Sequence, residues 1–407
     1  MSYYYINGMR IGGERSGSPQ YGHARQQMRR VIYNWLTKVV GWSHVDDESG
    51  DPSTSWATPE IGGSGGISDG VSDATDGEKF ISATGGFSAL TPATKRYFLL
   101  VTGFSDSTRD GFYLVDRVVS DNEIRLQAEY SLHTDGLPLN ETGLTWWVFD
   151  FYSWATRPGK TGNTTWWVIE GTGVGGAFHL RCQNNTSVAY MKDQFDISPF
   201  DDWDNVAHSW KTPARHTAVF GDQTGRFADS GLLFGVADSD KHTAVFWLRQ
   251  YEYDLQTGQS YPIVYYFGDL VPFRPTDDTR PVVGIADTCG VDWKFDGDVN
   301  QIADDYTQIA ARALYVSQQQ AVGTSVHDGN RRVRSYHSGR VFRVPWIVAT
   351  EDSTHEEIRG YLKDLLMQGH AYGDRQGTPF GTSRDMIRLG GDVTMRFNGS
   401  RQYYYIF

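Results

Sequence analysis

Three consecutive runs decide the fold class: YFLLVT at Tyr97–Thr102, GFYLVDRVV at 111–119 and EIRLQAE at 123–129. Each run is short and consists of apolar or alternating residues, and the turn-forming segments DSTRDG and SDN separate them. Short β-branched and aromatic runs between clusters of Gly, Asp, Ser and Asn are typical of strands joined by tight turns. The stretch therefore predicts a small antiparallel meander.

The composition of the whole chain favours the same kind of structure. Among its 407 residues, 14% are aromatic and 45 are glycines. Large flat rings suit the surface of a sheet and glycines suit its turns, whereas this composition suits a bundle of long helices poorly. We predict a mainly β protein with an antiparallel sandwich or barrel-like core, an amphipathic helix near the N-terminus and one helix near the C-terminus.

Changes in sequence character divide the chain into four parts. Residues 1–77 contain a helix and a segment rich in Gly, Ser and Asp, including GGSGG, which indicates an arm or loop. Residues 78–142 form the predicted small β module, and 143–350 form the main β domain. Residues 351–407 hold the C-terminal helix and the closing strands.

Two short sequences occur twice. TWWV stands at 145–148 and again at 165–168, with the turn-rich RPGKTGN between the two copies, so the pair predicts a hairpin. HTAVF stands at His216–Phe220 and at 242–246. Both echoes are too short to establish repeats of a whole structural unit.

The N-terminal helix is predicted over residues 24–40, where apolar residues recur at steps of three and four. Gly41 provides its C-terminal stop. The pair Arg29–Arg30 is expected to be ordinary surface charge. The apolar face packs either on its own domain or on a neighbouring subunit. Its candidate interface residues are Met28, Ile32, Trp35 and Val39.

The C-terminal helix is predicted to start after Glu351, because Ser353 and Thr354 each stand three residues before a glutamate and fit a capping box. Gly369 ends it. The chain closes with YYYIF, which is too apolar to extend into water and is expected to pair into a sheet or to be buried by a neighbour. Its candidate interface residues are Tyr403, Tyr405 and Phe407.

The charge and the cysteines exclude some function classes. The net charge is −12, and no run of Lys and Arg offers the basic stripe on which nucleic-acid binding depends, so no nucleic-acid partner is expected. No stretch approaches the ~20 apolar residues of a membrane helix, and the N-terminus lacks the apolar core of a signal peptide, so synthesis in the cytoplasm and no membrane partner are expected. Cys182 and Cys289 are either two buried thiols or one long-range disulfide.

No catalytic constellation stands out, so the chain is predicted to be neither an enzyme nor a holder of cofactors. A phosphate loop and the HExxH metal motif are absent, and GTGVGG at 171–176 lacks a following amphipathic helix. Asp202 and Trp203 are a candidate glycan-binding pair, because aromatic rings beside acids can bind sugars; an ordinary loop is the alternative. Asp296, Asp298 and Asn300 place oxygen ligands at alternating positions, which is typical of a calcium site. The pattern also fits a solvated turn, which is the favoured interpretation.

Two stretches resemble proteins encoded in the structural gene blocks of tailed bacteriophages. The first is KRYFLLVTGFSDSTRDGFYLVDRVVSDNEIRL at 95–126. The second runs from LLFGVADSDKHTAVFWLRQ to YYFGDLVPFRPTDDTRPVVGIA within 232–286 and centres on FGD-x-x-x-F-x-P-x-D, from Phe267 to Asp277. The two stretches cover about a fifth of the chain, and the motifs carry over no active-site residue.

The resemblance implies a non-enzymatic structural subunit of a phage particle, located in the virion as part of the tail, baseplate, neck or collar. Its expected partners are other virion proteins and further copies of itself, because closed rings are the common way for such subunits to avoid open-ended growth. The alternative is a receptor- or glycan-binding module on the virion surface, in which exposed Trp and Tyr side chains stack on sugars.

Overall fold

The structure is a computed structural model of the chain. It describes residues 3–12, 24–49, 56, 58–73, 79–93, 95–106, 109–126, 140–150, 166–185, 192–199, 201–212, 216–220, 230–238, 240–250, 262–272, 282–286, 293–294, 309–312, 342–351, 356–369, 387–389, 392–396 and 403–406.

The fold is mainly β, and its sheets are antiparallel, as predicted. Within the described residues there is one α-helix, α1 (Ala24–Asn34), which continues as a π-helix over Trp35–Val40, and a single 3₁₀ turn at Phe87–Ala89. The strands, in chain order, are β1 (Tyr3–Gly12), β2 (Ser43–Asp47), β3 (Ile67–Asp73), β4 (Lys79–Ser82), β5 (Tyr97–Thr102), β6 (Gly111–Ser120), β7 (Glu123–Leu126), β8 (Thr142–Asp150), β9 (Trp166–Gly173), β10 (Gly176–Asn185), β11 (Lys192–Pro199), β12 (Trp203–Asp204), β13 (Ser209–Trp210), β14 (His216–Phe220), β15 (Ser230–Asp238), β16 (Thr243–Gln250), β17 (Pro262–Gly268), β18 (Leu270–Pro272), β19 (Val282–Ala286), β20 (Trp293–Lys294), β21 (Ile309–Arg312), β22 (Phe342–Glu351), β23 (Glu356–Gly369), β24 (Ile387–Leu389), β25 (Asp392–Arg396) and β26 (Tyr403–Ile406).

Six strands close into a barrel in the order β3-β4-β7-β6-β5-β8. The predicted meander is confirmed, because β5 pairs with β6 and β6 pairs with β7. The barrel-like core is confirmed as well. The barrel extends from Ile67 to Asp150, so it crosses the predicted boundaries after residues 77 and 142.

Both faces of β5 are buried, which explains why its sequence is apolar without alternation. Leu99 and Val101 pack in the barrel's core cluster with Phe80 and Trp146. Phe98, one position along, packs in a second cluster that includes the N-terminal helix. The barrel therefore has an apolar outer face that the rest of the chain covers.

Two further sheets lie beside the barrel, with strand orders β1-β15-β16-β17-β19-β20 and β14-β11-β10-β9-β2. Side chains from the two sheets contact each other: the ring centroid of Phe195 on β11 is 5.5 Å from that of Tyr265 and 5.0 Å from that of Phe267 on β17. These residues belong to the same core cluster as the N-terminal helix.

The N-terminal helix is confirmed, and so is its stop at Gly41, which adopts a left-handed conformation with φ 84°. The helix occupies the middle of the main core. Trp35 lies 5.2 Å from Phe246 of the six-stranded sheet, and Tyr33 lies 5.7 Å from Trp167 of the five-stranded sheet, as ring-centroid distances.

The expectation that Arg29 and Arg30 are surface charges is wrong, since each is only 1% exposed. Arg30 donates from Nη1 to the backbone oxygen of Asp150 at 2.6 Å, and its guanidinium lies 5.3 Å from the ring centroid of Phe149. The barrel therefore supplies a carbonyl acceptor and an aromatic face. Partners of this kind let a guanidinium be buried, while the long methylene stem packs as an apolar group.

The C-terminal sheet has the order β21-β22-β23-β26-β25-β24, and β18 pairs with β23. The predicted C-terminal helix is not confirmed, because Glu356–Gly369 forms strand β23. This strand pairs with β22, β18 and β26. Helix propensity and capping are weak local preferences, and pairing of this extent overrides them.

The TWWV hairpin is also not formed. The first copy lies in β8, which pairs with β3 and β5 inside the barrel. The second copy extends into β9, which pairs with β2 and β10 of the five-stranded sheet. Closure of the barrel occupies both edges of β8, so β8 and β9 belong to different sheets although both contain WWV.

Candidate functional site

The candidate site is a two-stranded hairpin formed by β12 and β13, in the region where the sequence suggested glycan binding. The Asp204 carboxylate oxygen Oδ1 accepts hydrogen bonds from the backbone N–H groups of Ala207 and Val206 at 3.0 and 2.9 Å. These bonds, led by the one from Ala207, lower the pKa of Asp204 below its usual value. Val206 is 91% exposed, so an ordered loop presents an apolar tip to solvent.

Asp46 of β2 connects this hairpin to the five-stranded sheet through its side-chain carboxylate. Its Oδ2 accepts a 2.8 Å hydrogen bond from Nε1 of Trp203 and lies 2.8 Å from Nδ1 of His208. Asp46 and Trp203 are buried, whereas the His208 side chain is about half exposed. A carboxylate that is bonded on two sides by one hairpin holds it in a fixed orientation, which favours recognition by preorganisation.

Aromatic rings surround an ion pair at the base of the hairpin. Trp203 lies 5.1 Å from Trp210 and 5.6 Å from Trp166, measured between ring centroids. The guanidinium of Arg181 lies 5.9 Å from the ring centroid of Trp203 and 5.7 Å from that of Trp210. Its Nε donates to Oδ2 of Asp196 at 2.9 Å, so its charge is compensated within the protein.

Asp202 lies at the edge of the same cluster and is partly exposed. Its carboxylate accepts hydrogen bonds from the hydroxyl of Thr212 at 2.6 Å and from the hydroxyl of Ser198. Trp166 and Trp210 are also partly exposed. Partly exposed rings beside a carboxylate acceptor can stack on a sugar face and accept bonds from its hydroxyl groups.

Asp202 and Trp203, the pair predicted to bind glycan, differ in their exposure to solvent. Trp203 is 5% exposed and supports the hairpin from below, whereas Asp202 reaches the surface region. Sequence reasoning missed Asp46, Arg181 and His208. Asp46 is more than 150 positions from the hairpin, and no local pattern connects Arg181 or His208 with it. The Trp-rich TWWV echo was the one available signal, since it contains Trp166.

The remaining predicted site residues lie elsewhere. Met28, Ile32 and Trp35 are fully buried and Val39 is 9% exposed, all within the main core of the chain itself. Tyr403 and Tyr405 belong to β26, which lies between β23 and β25. The residues outside the described part of the chain are Phe407, Asp296, Asp298, Asn300 and Cys289. Cys182 is buried.

The FGD segment at 267–269 forms a junction between sheets. Gly268 has a φ of 138°, and a Cβ there would lie 2.3 Å from the backbone oxygen of His242, so only glycine fits. The Asp269 carboxylate accepts hydrogen bonds from the backbone N–H of Val174, in the turn between β9 and β10, at 3.0 and 3.1 Å. The next residues form β18, which pairs with the C-terminal sheet.

Searches against protein-family models, curated proteins and solved structures find no match for the chain. Where residues are described, no helix has the length and apolar character needed to cross a membrane. In the same part of the chain, no three His, Cys, Asp or Glu side chains are grouped so that they could hold a metal ion.

Proposed function

We propose that the chain is a non-enzymatic structural subunit of a tailed-bacteriophage particle, in the tail, baseplate, neck or collar. It assembles there with other virion proteins and with further copies of itself. The two phage-like stretches support this proposal because they form the framework of the fold. Residues 95–126 include β5, β6 and β7 of the barrel, and residues 232–286 include most of the six-stranded sheet.

The observation that carries the proposal is the junction at Asp269. The most specific part of the phage-like sequence holds the turn between β9 and β10 and leads directly into the strand that joins the C-terminal sheet. Asp269 maintains the arrangement of the strands, because its carboxylate accepts a hydrogen bond from the backbone N–H of Val174. The motif therefore supports a structural role.

We infer further that the six-stranded and five-stranded sheets pack face to face as a β-sandwich. The contacts of Phe195 with Tyr265 and Phe267 support this arrangement, and so does the single core cluster that includes side chains of both sheets. Sheets that pack face to face bury their inner side chains in one shared core.

The long edge strand β1 supports assembly. It is ten residues long, and within the described residues its only ladder partner is β15, so one row of its backbone N–H and C=O groups is not paired in a sheet there. Such an edge is a template for a strand of another chain. A register shift between Asn7 and Met9 interrupts the regular ladder with β15.

Particle composition tests the proposal directly. Particles produced from the genome that encodes the chain are purified by density gradient, and their proteins are identified by mass spectrometry, with immunogold labelling to locate the chain. We expect several copies per particle at one position along the tail axis. Absence of the chain from intact particles that contain the major tail proteins would refute the proposal.

A second candidate function is glycan binding at the aromatic hairpin. The observation that favours it is the grouping of the partly exposed Trp166 and Trp210 with the Asp202 carboxylate, on a hairpin held rigidly by Asp46. A glycan array tests this candidate. Binding that Trp210→Ala removes and that the neighbouring Lys211→Ala retains supports it, whereas no binding above background across the array eliminates it.

A further inference from the structure

Two different parts of the chain pair side by side along one edge of β23. The opposite edge is occupied by β22 along the whole strand, from Glu356 to Gly369. The shared edge therefore holds β18, which pairs at 360–362, and β26, which pairs at 366–369. β18 follows directly on Asp269 and connects β23 to the six-stranded sheet, whereas β26 comes from a later part of the chain.

The strands β24, β25 and β26 form a three-stranded unit at residues 387–406. β24 pairs with β25, and β25 pairs with β26, each over three residue pairs. Among the described residues, the ladder that connects this unit to the rest of the sheet has four pairs, from Leu366↔Ile406 to Gly369↔Tyr403. We call the edge of β23 at 366–369 the docking edge of the three-stranded unit.

The connection between β23 and the three-stranded unit is longer than pairing within one chain requires. Ile387 lies in line with Leu366 across three ladder steps, and Gly369 is three residues further along β23. At about 4.8 Å per strand and about 3.3 Å per residue, the direct path from Gly369 to Ile387 is about 17 Å. The seventeen residues 370–386 reach about 55 Å when they are extended. The connection is therefore long enough to reach the docking edge of a neighbouring copy.

We propose that copies of this chain exchange their three-stranded units, so that β26 of one copy pairs with β23 of the next. This inference rests on the proposed self-assembly and names the contact through which it occurs. The exchanged ladder has the same four residue pairs and the same register as the ladder within one chain. Exchange therefore costs no strand pairing, which is why swapping an identical element is a low-cost route to assembly.

The exchange also accounts for a closed assembly. The docking edge and the three-stranded unit are different surfaces of one copy, so the contact is heterologous, and contacts of this kind close into rings or continue as filaments. In a ring, each copy donates one unit and accepts one unit. An open row of copies leaves one docking edge and one unit unpaired at its ends, and unpaired strand edges attract further pairing. The exchange therefore favours a ring with a fixed number of copies.

Disulfide trapping tests the exchange on the full chain. Met367 and Tyr405 stand directly opposite each other in the ladder, and the separation of such pairs suits a disulfide. The chain with Cys182→Ala and Cys289→Ala receives Met367→Cys and Tyr405→Cys, is oxidised under native conditions, and is then unfolded for non-reducing gel electrophoresis. We expect bands at successive multiples of the mass of one chain, up to the copy number of the assembly.

Val344→Cys with Met367→Cys is the matched control, because Val344 pairs with Met367 in the ladder of the adjacent strands β22 and β23. This pair should form disulfides only within single chains. Gln368→Cys with Tyr404→Cys repeats the test one pair along the ladder, so the result does not depend on the folding of one variant. Light scattering before oxidation reports whether each variant assembles.

The outcomes separate the exchange from the proposed assembly. If an assembled variant forms the disulfide between positions 367 and 405 only within single chains, the exchange is wrong and the assembly stands. The exchange is also wrong if that disulfide is absent while the control pair is oxidised. If the unaltered chain is a monomer, the exchange and the proposed assembly both fail.

Discussion

At the scale of single residues, Asp269 makes the most consequential contacts in the FGD segment at 267–269. Its side chain is 2% exposed, and it accepts the Val174 N–H while lying 3.3 Å from Nδ1 of His242. Asp269→Ala would leave a backbone donor without its acceptor, at a cost of about 2 kcal/mol in the free energy of unfolding. Urea denaturation measures this loss. The exposed Asp240 provides the control, and Asp240→Ala should change the free energy of unfolding by less than about 0.5 kcal/mol.

Asp110 provides a pH-dependent prediction at the same scale. Burial, the largest cause, raises its pKa from 3.8 to about 6, against the hydrogen bond that its carboxylate accepts from the backbone N–H of Phe104. The folded state therefore binds a proton more tightly than the unfolded state, so this group reduces stability as the pH rises from about 4 to about 6.

Asp110→Asn keeps an oxygen acceptor for Phe104 and removes the charge. We expect this variant to raise the melting temperature at pH 7.5 and to change it little at pH 4, as measured by differential scanning fluorimetry. Asp116→Asn, at an exposed position of the barrel, is the matched control. An equal effect of Asp110→Asn at both pH values would contradict the assigned cause.

At the scale of elements, β26 provides the sharpest test of the C-terminal sheet. Tyr403–Ile406 pairs with β23 on one side and with β25 on the other. Deletion of residues 403–407 removes this strand from between its neighbours. We expect the region from 342 onward to become sensitive to protease, while the barrel and the main core stay resistant, because the residues described in their two core clusters lie between Ile6 and Phe267.

Limited proteolysis followed by mass spectrometry locates the cleavage sites in the truncated chain. Deletion of Phe407 alone is the matched control, since it leaves the paired residues of β26 in place. If the sheet stays protected without residues 403–407, then β26 is dispensable for the C-terminal sheet.

The elements that sequence patterns predicted correctly are those whose signals are local. The meander was visible because apolar runs and turn residues alternate within about 30 positions of one another, and the N-terminal helix because its apolar spacing ends at Gly41. The strand β23 has an equally helical pattern, but besides the adjacent β22 its partners are β18, at 270–272, and β26, at 403–406. Pairing partners are not encoded in the local pattern, so the sequence alone favoured the wrong element.

The candidate site shows the same division between local and distant signals. Trp203 and Asp202 could be found because acids and aromatic residues cluster in that stretch. Asp46 could not, since its contacts with Trp203 and His208 arise only when β2 joins the five-stranded sheet. Arg29 and Arg30 resembled surface charges for a related reason: Arg30 is buried against the Asp150 carbonyl and the Phe149 ring of β8, and Arg29 against the ring of Trp56, none of which is close in sequence.

At the scale of the whole molecule, one helix connects three β units. The outer face of the barrel contributes Phe98 and Phe149 to the core around the helix, and the two neighbouring sheets contribute Phe246 and Trp167. The helix face that could have docked on another subunit is thereby used within the chain. The proposed assembly would then use another surface, and the ten-residue edge strand β1 is one candidate.

The solution mass of the purified full-length chain, measured by size exclusion with light scattering, tests the proposed structural role most directly. We predict one discrete oligomer, with three, five, six or twelve copies of the 45.8 kDa chain, whose mass is constant across a tenfold range of protein concentration. A single species at the mass of one chain over that whole range would contradict self-assembly as the basis of its function.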